Sequence, residues 1–316
     1  MPALITHHLF GEEVLHRVER ELCLTEEEHD LFLMGCQGPD PFFFAVTCAR
    51  GNAVRAMGSN MHRRRVSAAF DRLRADIARL PQDKAGLGRA FVAGLLAHYV
   101  LDRNAHPFVY AHEYELCDYN RELADAYHEV HAVIESELDC GMLDHLRGVN
   151  CAQLAPASVL VGSPEGLLVA GTLLAQTARA VFELDVRPID YPGAVDDMRL
   201  CYQKIEPFGS TRQRSISRAE RLARPHSQLA SLAHKVDEGA DNPSMNMAHL
   251  PWEDPFKPQN STESFPEVFE RGIEDYLRIL PAFEAGEPMA LLTGGLDYHG
   301  KPMDGREEPL GSTHPL

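Results

Sequence analysis

An all-α fold follows from three features of the sequence. Apolar residues recur with a helical period, strand-like alternation is nearly absent, and Gly- and Pro-rich breaks separate the periodic segments. Helices are expected roughly over Thr6–Leu24, Arg63–Arg79, Leu87–Arg103, Asn120–Leu146, Ser163–Leu184 and Phe265–Phe283. The breaks fall at Gly38-Pro39-Asp40-Pro41, Pro81, His106-Pro107, Pro156 and Pro188. From about Gly209 to Ser264 the chain reads as irregular, apart from a short helix near Ser217–Leu222. The Gly- and Pro-rich tail from Gly294 is expected to lie over the surface. With no internal repeat and no long heptad pattern, the expectation is one multi-helix, bundle-like domain over residues 1–285. An irregular C-terminal region, 286–316, follows it.

Composition narrows the function. A chain of 316 residues with 44% hydrophobic and 24% charged residues is globular, which excludes wholesale disorder. Thirty Lys and Arg stand against 47 Asp and Glu, a formal charge of −17, which argues against a generic binder of nucleic acid or anionic membrane. No apolar run spans a bilayer; the longest, Leu167 to Phe182, is interrupted by Thr172, Gln176, Thr177 and Arg179. The N-terminal stretch has no basic region before an apolar core, and the seven cysteines form no Cys-x-x-Cys pair. A cytoplasmic protein with packed, reduced thiols is expected. No Gly-x-Ser-x-Gly elbow is present, so an α/β-hydrolase lipase is excluded.

Sixteen histidines make placement the informative quantity. On the helix through Leu87–Arg103, Phe91, Leu95, His98 and Asp102 share one stripe, so an imidazole and a carboxylate face the core one turn apart and can reach one metal ion. Pro107 is expected to end this helix and let His106 turn in from a loop. The next helix repeats the design: Tyr127, His131, Ile134 and Leu138 form the stripe, Glu135 sits at its edge and His128 flanks it. His7 aligns with Phe10, Val14 and Val18, whereas His8 points away. Asp40 and His62 complete the set from Gly-flanked loops. Other pairs with four-residue spacing, His8/Glu12, His234/Glu238 and His249/Glu253, read as surface or loop coincidences. Burying so many ionisable groups costs several kcal/mol each unless cations or close partners compensate.

The ordered string Thr6-His7, Gly38-Pro39-Asp40, Met61-His62, His98-x-x-x-Asp102-x-x-x-His106-Pro107 and His131-x-x-x-Glu135 resembles the zinc-dependent phospholipase C family. That family is similar in fold to the single-strand-specific zinc nucleases. The resemblance covers roughly residues 1–285. Asn246, Trp252-x-x-Pro255 and Ser264-Phe265 also resemble the family's C-terminal pattern. It implies that Asp40, His62, His98 and Asp102 hold one zinc ion and that His106, His131 and Glu135 hold a second. His7, with Asp102 as a bridge, contributes to a third. In exported members a processed N-terminal tryptophan also holds that ion; this chain departs there, beginning Met1-Pro2-Ala3, and the Pro2 amine that removal of Met1 would expose is the candidate substitute. His112 and His128 stand as alternatives to His106.

The activity implied is hydrolysis of a phospholipid or related phosphodiester, with two or three zinc ions. Asp40 is the candidate catalytic residue, as bridge or proton acceptor for the attacking water. The partner expected is a small-molecule or lipid phosphodiester. A nuclease-like phosphodiesterase and a non-catalytic metal-binding helical protein are the rival readings. Arg63-Arg64-Arg65 reads as a solvated, salt-bridged face, His29-Asp30 as an exposed helix start, and Trp252 with Phe256 as a loop anchor.

Overall fold

A computed structural model describes residues 3–22, 24–236, 239 and 242–303. Among them are twelve α-helices: α1 (Leu4–Leu22), α2 (Glu26–Gly35), α3 (Gly51–Arg63), α4 (Val66–Ile77), α5 (Ala85–Tyr119) and α6 (Tyr127–Arg147) lead. Next come α7 (Pro164–Val181), α8 (Asp190–Ile205), α9 (Thr211–Glu220), α10 (Gln228–Ser231), α11 (Phe265–Glu284) and α12 (Met289–Thr293). The described strands, β1 (Trp252–Glu253) and β2 (Asn260–Ser261), form a two-residue antiparallel ribbon with Trp252 opposite Ser261. The protein is all-α.

Local chemistry explains the boundaries. Thr25 and Glu28 form a reciprocal capping box at the start of α2, and Ser264 and Glu267 do the same for α11. Ser163 caps α7 ahead of Pro164, and α6 ends on Gly148 in the left-handed region. At α1 the cap comes from far away in sequence: the Asp139 carboxylate on α6 accepts the N–H groups of Ile5 at 3.0 Å and Thr6 at 2.7 Å. Two orphan donors of the helix end are thereby satisfied by a charge of the favourable sign.

Helix α5 is the axis of the molecule and packs against α2, α11, α6, α7, α4 and α1. Its approach to α2 depends on a pair of glycines. A Cβ on Gly35 would run into the Phe91 carbonyl oxygen, and one on Gly94 into that of Phe32. The close contact carries the C-terminal end of α2, and with it the Cys36 carbonyl, to the His98 ring.

Several expectations are corrected. Helix α5 does not stop at Pro107 but runs on to Tyr119, so His106 belongs to a helix and not to a loop. Proline removes a single N–H donor from the ladder; the residues from Leu95 to Val109 are buried around it, and their packing holds the helical path. His62 lies in the last turn of α3, and Asp40 opens a short 3-10 helix, Asp40–Phe44. The stretch after residue 209 contains α9 and α10, and α12 lies within the tail region. The tail from Gly294 does not merely cover the surface: Asp297 and Tyr298 are buried. Residues 304–316 lie outside the described residues.

Candidate metal centre

His98 and Asp102 on α5 face Asp40 and His62 from the α2–α3 region. His62 Nε2 lies 3.1 Å from Asp40 Oδ1 and 3.7 Å from Asp102 Oδ2, and His98 Nε2 lies 3.3 Å from the same Asp102 oxygen. The other oxygen of Asp102, Oδ1, meets His7 Nε2 at 3.1 Å, while the His7 ring stacks on His98 with centroids 4.1 Å apart. One turn further along α5, His106 Nε2 sits 3.7 Å from Glu135 Oε1, and His131 Nε2 sits 3.3 Å from it. All eight residues are buried. Their ligating atoms form three overlapping or adjacent groups, His7/Asp40/His98, His62/His98/Asp102 and His106/His131/Glu135, each within 4.8 Å.

The imidazoles are oriented from behind. His62 Nδ1 donates to the Gly58 carbonyl at 2.8 Å, His98 Nδ1 to that of Cys36 at 3.0 Å, and His106 Nδ1 to that of Tyr298 at 2.8 Å. His131 Nδ1 donates to the Glu113 carboxylate at 2.6 Å. A carbonyl only accepts, so the proton sits on Nδ1 and Nε2 is turned towards the acids, the arrangement of metal-ligating histidines. Gly38 makes room for one of these rings: it adopts φ +56°, and a Cβ there would overlap the His98 imidazole.

The donor set fits a cation. His98 Nε2 is buried and makes no hydrogen bond even with Asp102 beside it, and His7 Nδ1 is likewise without a partner. Burial pushes the carboxyls of Asp40 and Asp102 up, yet the surrounding imidazoles more than offset this and hold both below the usual carboxylate range. Burial lowers His106, but Asp102 and Glu135 outweigh it and raise the ring to about 9. Buried ionised carboxylates facing imidazole nitrogens form a nitrogen and oxygen ligand set of the kind zinc takes.

His106 is the histidine that joins His131 and Glu135. The ring of His112 packs on Phe108 and its Nδ1 donates to the Phe108 carbonyl, and His128 is exposed. Met1 and Pro2, and the Pro2 amine with them, lie outside the described residues. Arg63 is exposed at the rim, where its Nε donates to His299 Nε2 at 3.4 Å.

Sequence periodicity missed four contributors. Glu113 lies on the face that already carries Asp102 and His106, and extending the helix past Pro107 would have found it. Tyr298 and His299 come from the tail and gave no periodic signal. The His299 ring lies 5.2 Å from that of His106 and 6.3 Å from that of His62, and its Nδ1 meets the Tyr110 hydroxyl at 3.0 Å. Burial, then His106 and His62, hold this ring well below the ordinary histidine range. His234, read as a loop coincidence with Glu238, is buried and pairs instead with Asp139 at 2.9 Å and Glu206 at 2.7 Å. Glu238 lies outside the described residues.

Fold and site together define a helical protein whose buried His, Asp and Glu clusters can hold metal ions. No family model, curated protein or solved structure matches the chain. No helix among the described residues is long and apolar enough to cross a membrane.

Proposed function

We propose that the chain is a zinc-dependent phosphodiesterase of the phospholipase C type, hydrolysing a phospholipid or a related phosphodiester. The observation that carries the reading is the convergence of His62, His98, His106 and His131 Nε2 atoms on Asp40, Asp102 and Glu135, with every Nδ1 tied back to a fixed acceptor. His62, His98, Asp40 and Asp102 would hold one ion, and His106, His131 and Glu135 a second. Asp102 presents its second oxygen to His7, for a third. Zinc in such sites activates water near neutral pH and neutralises charge on a reacting phosphate.

The chain's own residues supply the rest. Asp40 stays ionised beside His98 and His62, so its carboxylate would act as bridge or as acceptor for the proton of an attacking water. The guanidinium of Arg63, at the rim next to His62, offers a cation for a substrate phosphate. The Tyr110 ring, 5.0 Å from that of His131, also lies 5.4 Å from that of Phe256, which lines a groove of about 650 Å³ between the end of α5 and β1. Tyr114, Tyr119, Trp252 and Phe256 line it, an aromatic surface for the part of the substrate that does not react.

Protein purified without chelator should contain two or three zinc ions and release a phosphorylated headgroup from phosphatidylcholine vesicles. Release of nucleotides from single-stranded DNA in place of this would favour the nuclease reading. Zinc without turnover on either substrate would favour a non-catalytic metal protein.

A further inference from the structure

Away from the metal centre, Cys140 and Cys151 bring their Sγ atoms to 3.2 Å. Cys140 lies inside α6, one residue after Asp139, and its thiol also donates to the Lys235 carbonyl at 3.3 Å. Cys151 lies in the turn that follows the helix. The two are 1% and 7% exposed, and neither belongs to a metal-ligand group. Their separation is inside sulfur–sulfur van der Waals contact and about 1.2 Å longer than a disulfide bond.

We propose that Cys140 and Cys151 form an oxidisable dithiol, a modification site at which a small-molecule disulfide such as oxidised glutathione installs an intramolecular disulfide. The more exposed Cys151 reacts first. It loses its proton to solvent, and its thiolate attacks one sulfur of the reagent, breaking the reagent's S–S bond and expelling one glutathione thiolate. Cys140 then loses its proton and attacks the Cys151 sulfur of the mixed disulfide, expelling the second. Two protein thiols are oxidised by two electrons, one reagent disulfide is reduced to two thiols, and the leaving thiolates take up the protons. The hydrogen bond to Cys151 and burial push the Cys140 thiol up, which fits its role as the second to react. The new bond fastens the turn to α6 beside Asp139, the residue that caps α1.

The test treats the full chain with oxidised glutathione, then denatures it, alkylates the remaining thiols with iodoacetamide and maps the peptides. The expected result is two fewer alkylated cysteines, a linked Cys140–Cys151 peptide, and a thermal midpoint raised by several degrees and restored by dithiothreitol. In Cys151→Ser, or in Cys151→Ala if the serine variant fails to fold, Cys140 should remain alkylatable after the same treatment. Full alkylation of the treated wild type, a lasting glutathione adduct with no link, or a link to a different cysteine would each overturn the proposal. Cys36, Cys48, Cys117 and Cys201 are controls within the same chain.

Discussion

His131 Nδ1 donates to the Glu113 carboxylate at 2.6 Å, although the two residues lie on different helices on either side of the α5–α6 connection. The bond fixes the tautomer of His131 and turns its Nε2 to Glu135. Glu113→Gln keeps the shape and removes the charge. The variant should fold, and its weaker zinc site should lose affinity by about 10- to 100-fold. Competition with a chromophoric chelator measures this; unchanged affinity at both sites would show that Glu113 has no such role.

His98 is the imidazole shared by two of the ligand groups. His98→Ala should abolish zinc binding at the first site and, with it, hydrolysis. His112→Ala removes a ring packed outside the clusters and should leave zinc content unchanged. Elemental analysis of both purified variants makes the comparison.

Gly38 offers a test of the backbone. Alanine there meets both an unfavourable φ and the His98 ring, so Gly38→Ala should destabilise the protein by about 1–3 kcal/mol and lower zinc occupancy. Urea titration alongside elemental analysis reads both effects, and a fully stable, fully loaded variant would contradict the packing described.

His234 carries the clearest pH dependence. Burial lowers its pKa, but the Asp139 and Glu206 carboxylates on its two nitrogens outweigh this and raise it from 6.5 to about 10. Its protonated form is therefore favoured in the folded state. The stability it contributes is fully present below pH 6.5 and is lost as pH rises towards 10. The stability difference between wild type and His234→Gln, measured by urea unfolding, should shrink over that window; a constant difference would mean that the charge plays no part.

Removal of the proposed zinc ions should also lower stability, because buried carboxylates would lose their countercharge. At a free zinc concentration 1,000 times the dissociation constant, linkage gives about 4 kcal/mol per site. Dialysis against chelator should lower the melting temperature, and zinc addition should restore it.

The sequence exposed the parts of this centre that lie on regular helices. His98 with Asp102 and His131 with Glu135 were legible because four-residue spacing and an apolar stripe coincide. Pro107 hid the continuation of α5, and with it the helical placement of His106 and the role of Glu113. Helix α2 was missed: its first turn is Glu26-Glu27-Glu28, and its buried half, Leu31–Gly35, is too short to show a period. Asp139, His234 and Tyr298 act across long separations. Asp139 meets the Ile5 N–H 134 positions away, and Tyr298 meets His106 192 positions away. Pairings of that kind follow from tertiary packing, which one sequence does not display.

The peptide groups flanking Tyr298 touch both halves of the centre: its N–H donates to the His62 carbonyl at 3.1 Å, and its carbonyl receives the His106 proton at 2.8 Å. During translation, residue 298 leaves the ribosome long after the last proposed ligand, Glu135. Until it docks, His106 lacks the carbonyl that accepts its Nδ1 proton, so a nascent chain holds the imidazoles and acids but not their final alignment. The alignment of the two halves of the candidate centre is therefore completed only when the tail docks.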